Sequence, residues 1–101
     1  MAEFLKVAEI ADVPPGTVKH VKLLGRNIAL CNVDGEFFAM DDFCSHRGAP
    51  LSQGWLAGHI LECPWHGWKF DVRTGGVTLD PRMCNQTFEV KVEGEDILIA
   101  G

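Results

Sequence analysis

Two short segments, Cys44-Ser45-His46 and Cys63-Pro64-Trp65-His66, constrain this chain more than any other feature. Each sets one thiol and one imidazole close together, and sixteen residues separate the two pairs. A twice-repeated pair of unlike ligands is a metal-binding pattern first. Two iron atoms bridged by two sulfides need four protein ligands, and when imidazoles replace thiolates on one iron the set becomes two cysteines and two histidines. Two loops that each supply one of each can clasp such a [2Fe–2S] cluster from both sides. A single tetrahedral zinc could use the same four residues, although structural zinc sites typically pair like ligands, as C-x2–4-C and H-x3–5-H. Here unlike ligands pair, and a single residue, Ser45, separates the first two. A Cys44–Cys63 disulfide is the remaining reading, and it needs an oxidising compartment.

The rest of the sequence narrows the compartment and the partners. The chain has 101 residues, which suggests a single domain over 1–101 with one modest core. Hydrophobic residues make up 47% and charged residues 23%, which argues for a packed globule and against disorder. The formal net charge of −5 repels phosphate backbones, so nucleic acid is excluded as a partner. The first ten residues, Met-Ala-Glu-Phe-Leu-Lys-Val-Ala-Glu-Ile, lack the cationic start and unbroken apolar stretch of a signal peptide. No run approaches the ~18 apolar residues of a membrane span. The expected location is the cytoplasm, where Cys31, Cys44, Cys63 and Cys84 are thiols or metal ligands.

The chain alternates apolar and polar residues at period two between Gly, Asp, Asn and Pro turns, so an all-β fold of antiparallel strands is expected. Strands are predicted at Phe4–Val7, Val18–Leu24, Asn27–Val33, Glu36–Met40 and Thr87–Val92, and a last one around Ile97–Ile99 follows Gly94. Asp34-Gly35 suits a tight type I′ hairpin because both residues tolerate positive φ. A helical turn is predicted over Glu9–Val13, and a short hairpin over Gly54–Glu62 with Ala57-Gly58 near its turn. In Thr87–Val92, Phe88, Val90 and Val92 are expected on one face, Glu89 and Lys91 on the other. From about 42 to 76 the alternation weakens and Gly, Pro, Trp, Cys and His crowd together. That stretch is expected as a second, smaller unit inserted into the β base, and a loop-rich insertion in a small domain usually carries function.

Cys44-Ser-His-Arg-Gly-Ala-Pro-Leu and Cys63-Pro-Trp-His-Gly-Trp-Lys-Phe-Asp resemble the two signature loops of Rieske proteins, and the flanking β pattern extends the resemblance over the whole chain. Within that family the chain is most similar to the Rieske-type ferredoxins of multicomponent aromatic-ring dioxygenase systems. The resemblance implies a Rieske fold, an antiparallel sheet base with a cluster-binding subdomain of two loops. It implies one [2Fe–2S] cluster, with Cys44 and Cys63 on one iron and His46 and His66 on the other. The histidines would bind through Nδ1 and leave Nε2–H at the tip as the electron's exit. Pro81 would belong to a third loop that covers the cluster. As partners it implies a flavoprotein ferredoxin reductase and a terminal oxygenase, with no nucleic acid, no membrane and no substrate site of the carrier's own. A monomer suits a shuttle.

Departures from one branch of the family are informative. Rieske proteins of quinol-oxidising complexes carry an extra cysteine in each loop, and these pair as a disulfide; the matching residues here are Ala49 and Trp65. The same branch has a serine and a tyrosine that donate hydrogen bonds to cluster sulfur, where this chain has Trp68 and Phe70. Such bonds stabilise the reduced cluster, and without them the expected potential lies near the bottom of the Rieske range, roughly −150 mV. Trp55, Trp65 and Trp68 are expected to shield the cluster from water. Cys31 is expected to be a small apolar core residue. Cys84, His20 and His59 receive no role.

Three other functions compete with an electron carrier. A catalytic oxygenase would need a mononuclear iron held by two histidines and a carboxylate. Only His20 and His59 remain for it, and the length leaves no room for a catalytic domain. A subunit resembling the small subunit of assimilatory nitrite reductase would share the fold, but members of that group often lack the ligands present here. A structural zinc module would be colourless.

Overall fold

A computed structural model describes residues 3–42, 50–64, 67–78 and 85–100. Its ten strands form three antiparallel sheets. The first joins β1 (Phe4–Glu9), β10 (Asp96–Ala100) and β9 (Val90–Glu93) in the order β1-β10-β9. The second joins β2 (Val18–Leu23), β3 (Arg26–Val33), β4 (Glu36–Asp41) and β8 (Thr87–Phe88) in chain order. The third is smaller and contains β5 (Trp55–Ala57), β6 (Ile60–Glu62) and β7 (Lys69–Asp71).

β3 organises the molecule. Its last six residues, Ile28 to Val33, are all buried, because one face of the strand looks at each of two apolar clusters. Ile28 and Leu30 join Val21, Leu23, Ala39, Ile97 and Ile99 against the first sheet. Ala29, Cys31 and Val33 join Met40, Leu51, Leu61, Cys63, Phe70, Val72 and Val77 on the side of the third sheet. The simple alternation expected for this strand is therefore replaced by continuous burial, which its near-unbroken apolar sequence reflects. The one polar side chain in the run, Asn32, is satisfied: its Nδ2 donates to the Val13 carbonyl at 2.7 Å and its Oδ1 accepts from Gly35 N at 2.7 Å. Burying it unpaired would cost about 1–3 kcal/mol.

The two ends of β3 are tight two-residue turns, since Val33 pairs with Glu36 and Leu23 with Arg26. Asp34 and Gly35 have φ of +52° and +92°, the double positive pair of the type I′ turn expected there. Leu24 and Gly25 adopt the same geometry, with φ of +51° and +82°. Aspartate tolerates this region by local hydrogen bonding, whereas a leucine held there is strained by about 1–2 kcal/mol. Leu24 belongs to this turn and not to the strand predicted through it.

Other expectations need adjustment. The strand predicted over Thr87–Val92 is broken at Glu89: Phe88 pairs with Ala39 of the second sheet, while Val90 pairs with Ile99 of the first. One stretch of chain thus serves two sheets, and Val92, expected on the apolar face, is 43% exposed. β1 runs on to Glu9 beyond its predicted end and has an irregularity between Lys6 and Ala8. The helical turn is a 3-10 turn over Ile10–Asp12, closed by a reciprocal capping box between Glu9 and Asp12. Among the described residues, no helix is long and apolar enough to cross a membrane.

Candidate metal centre

Of the four expected ligands, Cys63 is described; Cys44, His46 and His66 lie outside the described residues, as do Ala49, Trp65, Pro81 and Cys84. What the structure gives is the frame from which the ligand-bearing segments spring, together with one of the thiols.

Cys63 follows directly on β6. The β6–β7 ladder pairs Glu62 with Lys69, and one further bond extends it, from Cys63 N to the Trp68 carbonyl at 2.7 Å. Cys63 and Trp68 are therefore the last bonded residues at this end of the hairpin, and Gly67 adopts φ +68° beside them. A left-handed residue at that point is easiest for glycine. Cys63 is fully buried beside Leu61, Phe70 and Val77. Phe70, on β7, meets Val77 across an isolated bridge, which folds the chain back beneath the hairpin.

The first segment begins where β4 ends. Asp42 is 8% exposed, and its carboxylate reaches across ten residues to Ser52: Oδ1 accepts from Ser52 N at 2.7 Å and Oδ2 from Ser52 Oγ at 2.6 Å. Ser52 stands in a 3-10 turn over Leu51–Gln53, whose Leu51 is buried in the same apolar cluster as Cys63. Asp42 and Ser52 thus close the base of the segment that contains Cys44 and His46. This clasp gave no local signal in the sequence, since its partners are far apart and neither belongs to a periodic pattern.

The described chain resumes at Asn85 beside Asp41 and Asp42. Asp41 N donates to the Gln86 carbonyl at 3.0 Å, and Asn85 Nδ2 donates to the Asp41 carbonyl at 3.2 Å. Arg26 reinforces this corner: its Nη2 donates to Asp41 Oδ1 and to Gln86 Oε1, both at 3.0 Å, and its guanidinium lies 4.8 Å from the Phe88 ring centre. Asn85 N also donates to the Gly75 carbonyl at 2.8 Å. Gly75 has φ +78°, and a Cβ there would run into the Asn85 carbonyl. Gly54 is equally confined, because a Cβ would meet the Glu62 carbonyl.

Charge in the neighbourhood is settled by contact. Arg73 grips Asp71 through Nε (3.0 Å to Oδ1) and Nη2 (2.8 Å to Oδ2), and this pairing holds the Asp71 carboxyl below the usual carboxylate range. Burial pushes the Cys31 thiol up to about 12, and the Asp42 carboxylate adds to the rise. A cysteine in that state is a neutral apolar group, as the sequence suggested. His20 is exposed, with Nε2 2.8 Å from Asn27 Oδ1. His59 meets Phe38 edge-on at 5.6 Å.

The two described tryptophans differ in setting. Trp68 is partly buried against the cluster that contains Cys63, whereas Trp55 is 62% exposed on the outer face of the third sheet. In a three-stranded sheet only one face meets the core, and Leu56, Leu61 and Phe70 occupy it.

Among the described residues, no group of three or more His, Cys, Asp or Glu side chains could hold a metal. Nevertheless Cys63, enclosed by apolar side chains at the last bonded pair of a hairpin, fits an iron–sulfur centre. Bound to iron, its sulfur would need no water to carry the thiolate charge, and a dry wall would protect such a cluster.

Residues 3–91 match the family model of the Rieske [2Fe-2S] domain. The chain is 37% identical over 98 residues to the ferredoxin component of the naphthalene 1,2-dioxygenase system of Pseudomonas aeruginosa, covering 96% of this chain and 94% of that one. It is 41% identical over 95 residues to the ferredoxin component of biphenyl 2,3-dioxygenase from Rhodococcus jostii, with 93% and 89% covered. Among solved structures it is similar to a chain in the complex of reduced oxygenase and oxidized ferredoxin of carbazole 1,9a-dioxygenase. The TM-score there is 0.88, at 38% identity over 97% of this chain and 93% of the other.

Proposed function

The chain belongs to the Rieske [2Fe-2S] domain family, and on that premise we propose that it carries single electrons from a flavoprotein ferredoxin reductase to a terminal, aromatic-ring-hydroxylating oxygenase. The observation that carries this reading is the near full-length likeness to ferredoxin components of dioxygenase systems. Cys44, His46, Cys63 and His66 are the proposed ligands of one [2Fe–2S] cluster, which supplies a site that gains and loses one electron. The chain's own residues do the rest. The Cys63–Trp68 bond fixes one ligand segment and the Asp42–Ser52 clasp the base of the other. The apolar cluster of Leu51, Leu61, Phe70 and Val77 keeps water from one side of Cys63.

The same proposal takes residues 1–101 as one domain with its ligand-bearing insertion at about 42–76, working as a cytoplasmic monomer. A shuttle must leave each partner quickly, so its contacts should be small, below about 1,200 Å2 in total. Trp68 and Phe70 offer no hydroxyl to sulfur, which supports a potential near the lower end of the family range, roughly −150 mV.

The deciding experiment is EPR of the dithionite-reduced protein with iron analysis. Mixed Cys/His ligation gives a spectrum distinct from that of an all-Cys cluster, with about two irons per chain. A colourless protein containing zinc would overturn the assignment, and a midpoint potential well above zero would overturn the low-potential reading.

A further inference from the structure

The two turns that flank β3 share one backbone geometry but carry different residues. Asp34-Gly35 is a pair suited to it; Leu24-Gly25 is not. Leu24 sits at φ +51° and is 76% exposed, so the strain at this position is not repaid by burial within the chain. A strained residue without an internal benefit points to a use outside the fold.

Its position suggests which use. Arg26, next but one to Leu24, is bonded to Asp41 and Gln86. Those residues stand where the chain leaves β4 toward 43–49 and where it returns from 79–84. The Leu24 turn therefore projects at the end of the second sheet from which the ligand-bearing segment departs. The charge is local as well. No acidic residue occurs between Asp12 and Asp34, while Lys19, His20, Lys22 and Arg26 do. The remainder of the chain sets fourteen acidic against six basic side chains, a balance of −8. Arg26 is taken up by Asp41, but Lys19 and Lys22 are exposed and make no ion pair among the described residues.

We propose that the β2–β3 turn is a docking surface for the terminal oxygenase, with Leu24 seated in an apolar hollow and Lys22, two residues away, facing a carboxylate at its rim. This rests on the function proposed above. The oxygenase is chosen over the reductase because the carbazole-system relative is seen in complex with an oxygenase. One apolar anchor with a screened rim charge suits a contact that must form fast and release fast.

The test uses the whole cluster-loaded chain and, as probe, the terminal oxygenase of carbazole 1,9a-dioxygenase. Leu24→Gly and Leu24→Asn relieve the turn, so their melting temperatures should equal or exceed the parent's. Their midpoint potentials and EPR spectra should not move. The second-order rate of electron delivery in anaerobic stopped flow should nonetheless fall by about 3–10-fold, while the rate at saturating oxygenase stays the same. Lys22→Gln should flatten the dependence of that rate on ionic strength, whereas Lys19→Gln, on the opposite face of β2, should not. If the parent delivers electrons and the Leu24 variants match it, the dock is overturned and the proposed function stands. A loss seen only with the reductase of the same system, or one that tracks a fall in melting temperature or a shifted potential, also overturns the dock. A cluster-loaded parent that passes no electron to this oxygenase overturns both readings.

Discussion

Cys31 and Cys63 belong to one apolar cluster and both are fully buried, yet their surroundings suit opposite chemistry. Cys31 lies inside β3, paired with Val18 on one side and Phe38 on the other. Hydrocarbon surrounds it, and burial, with the Asp42 carboxylate adding to the effect, keeps the proton on. Cys63 is the first residue past a strand, at the last bonded pair of a hairpin, with the left-handed Gly67 beside that pair. A paired strand on each side walls a sulfur off; a hairpin end leaves room for a second loop to bring further ligands. Depth of burial, then, does not decide what a cysteine does; the backbone around it does.

The largest expected effect breaks or upholds that contrast directly. Cys63→Ala should lower iron from about two per chain to near zero and abolish the visible absorption, whereas Cys31→Ala should leave both unchanged. Equal iron loss in the two variants, measured after anaerobic reconstitution, would erase the distinction. Next in size is Gly75→Ala, where a Cβ has no room against the Asn85 carbonyl and φ is left-handed. A cost of about 2–4 kcal/mol is expected, read as a drop in the denaturation midpoint. A neutral result would mean that Gly75 and Asn85 are not held against each other as described.

The clasp sharpens the comparison further, because it separates loop geometry from burial. Ser52→Ala removes one of the two bonds to Asp42 at a cost of about 1 kcal/mol. Its EPR g-values should shift with iron content intact, while Cys31→Ala should melt at a comparably lower temperature with an unshifted spectrum. The smallest effect is in the alkaline limb of stability. The Cys31 thiol is raised in the fold, so the unfolded chain sheds this proton first as pH climbs. The stability it contributes is complete below the ordinary thiol value and is lost progressively between about 9 and about 12. Urea midpoints across that window should fall less steeply in Cys31→Ala than in the parent.

Much of this was legible in the residues themselves. Asp34-Gly35 announced its hairpin because the turn's φ values select those residues, and the Gly54–Glu62 hairpin was visible from its spacing. Of the two Cys/His pairs only Cys63 is described, buried directly after β6; the expected ligand set stays a proposal. Features set by tertiary context were not legible. The alternation of Thr87–Val92 is compatible with one strand, and only the competition of two sheets for it breaks the run at Glu89. Trp55 has the composition of a shielding residue, but its register on β5 turns it outward. Asp42 and Ser52 meet across a loop whose closure no local pattern records.

The apolar cluster around Cys63 continues without a seam into Ala29, Val33 and Met40 of the β base. On the proposed ligation, a chain short of metal is also short of a piece of its interior. Cluster loading and integrity of the β base are then one equilibrium, so that withdrawing iron loosens both units together.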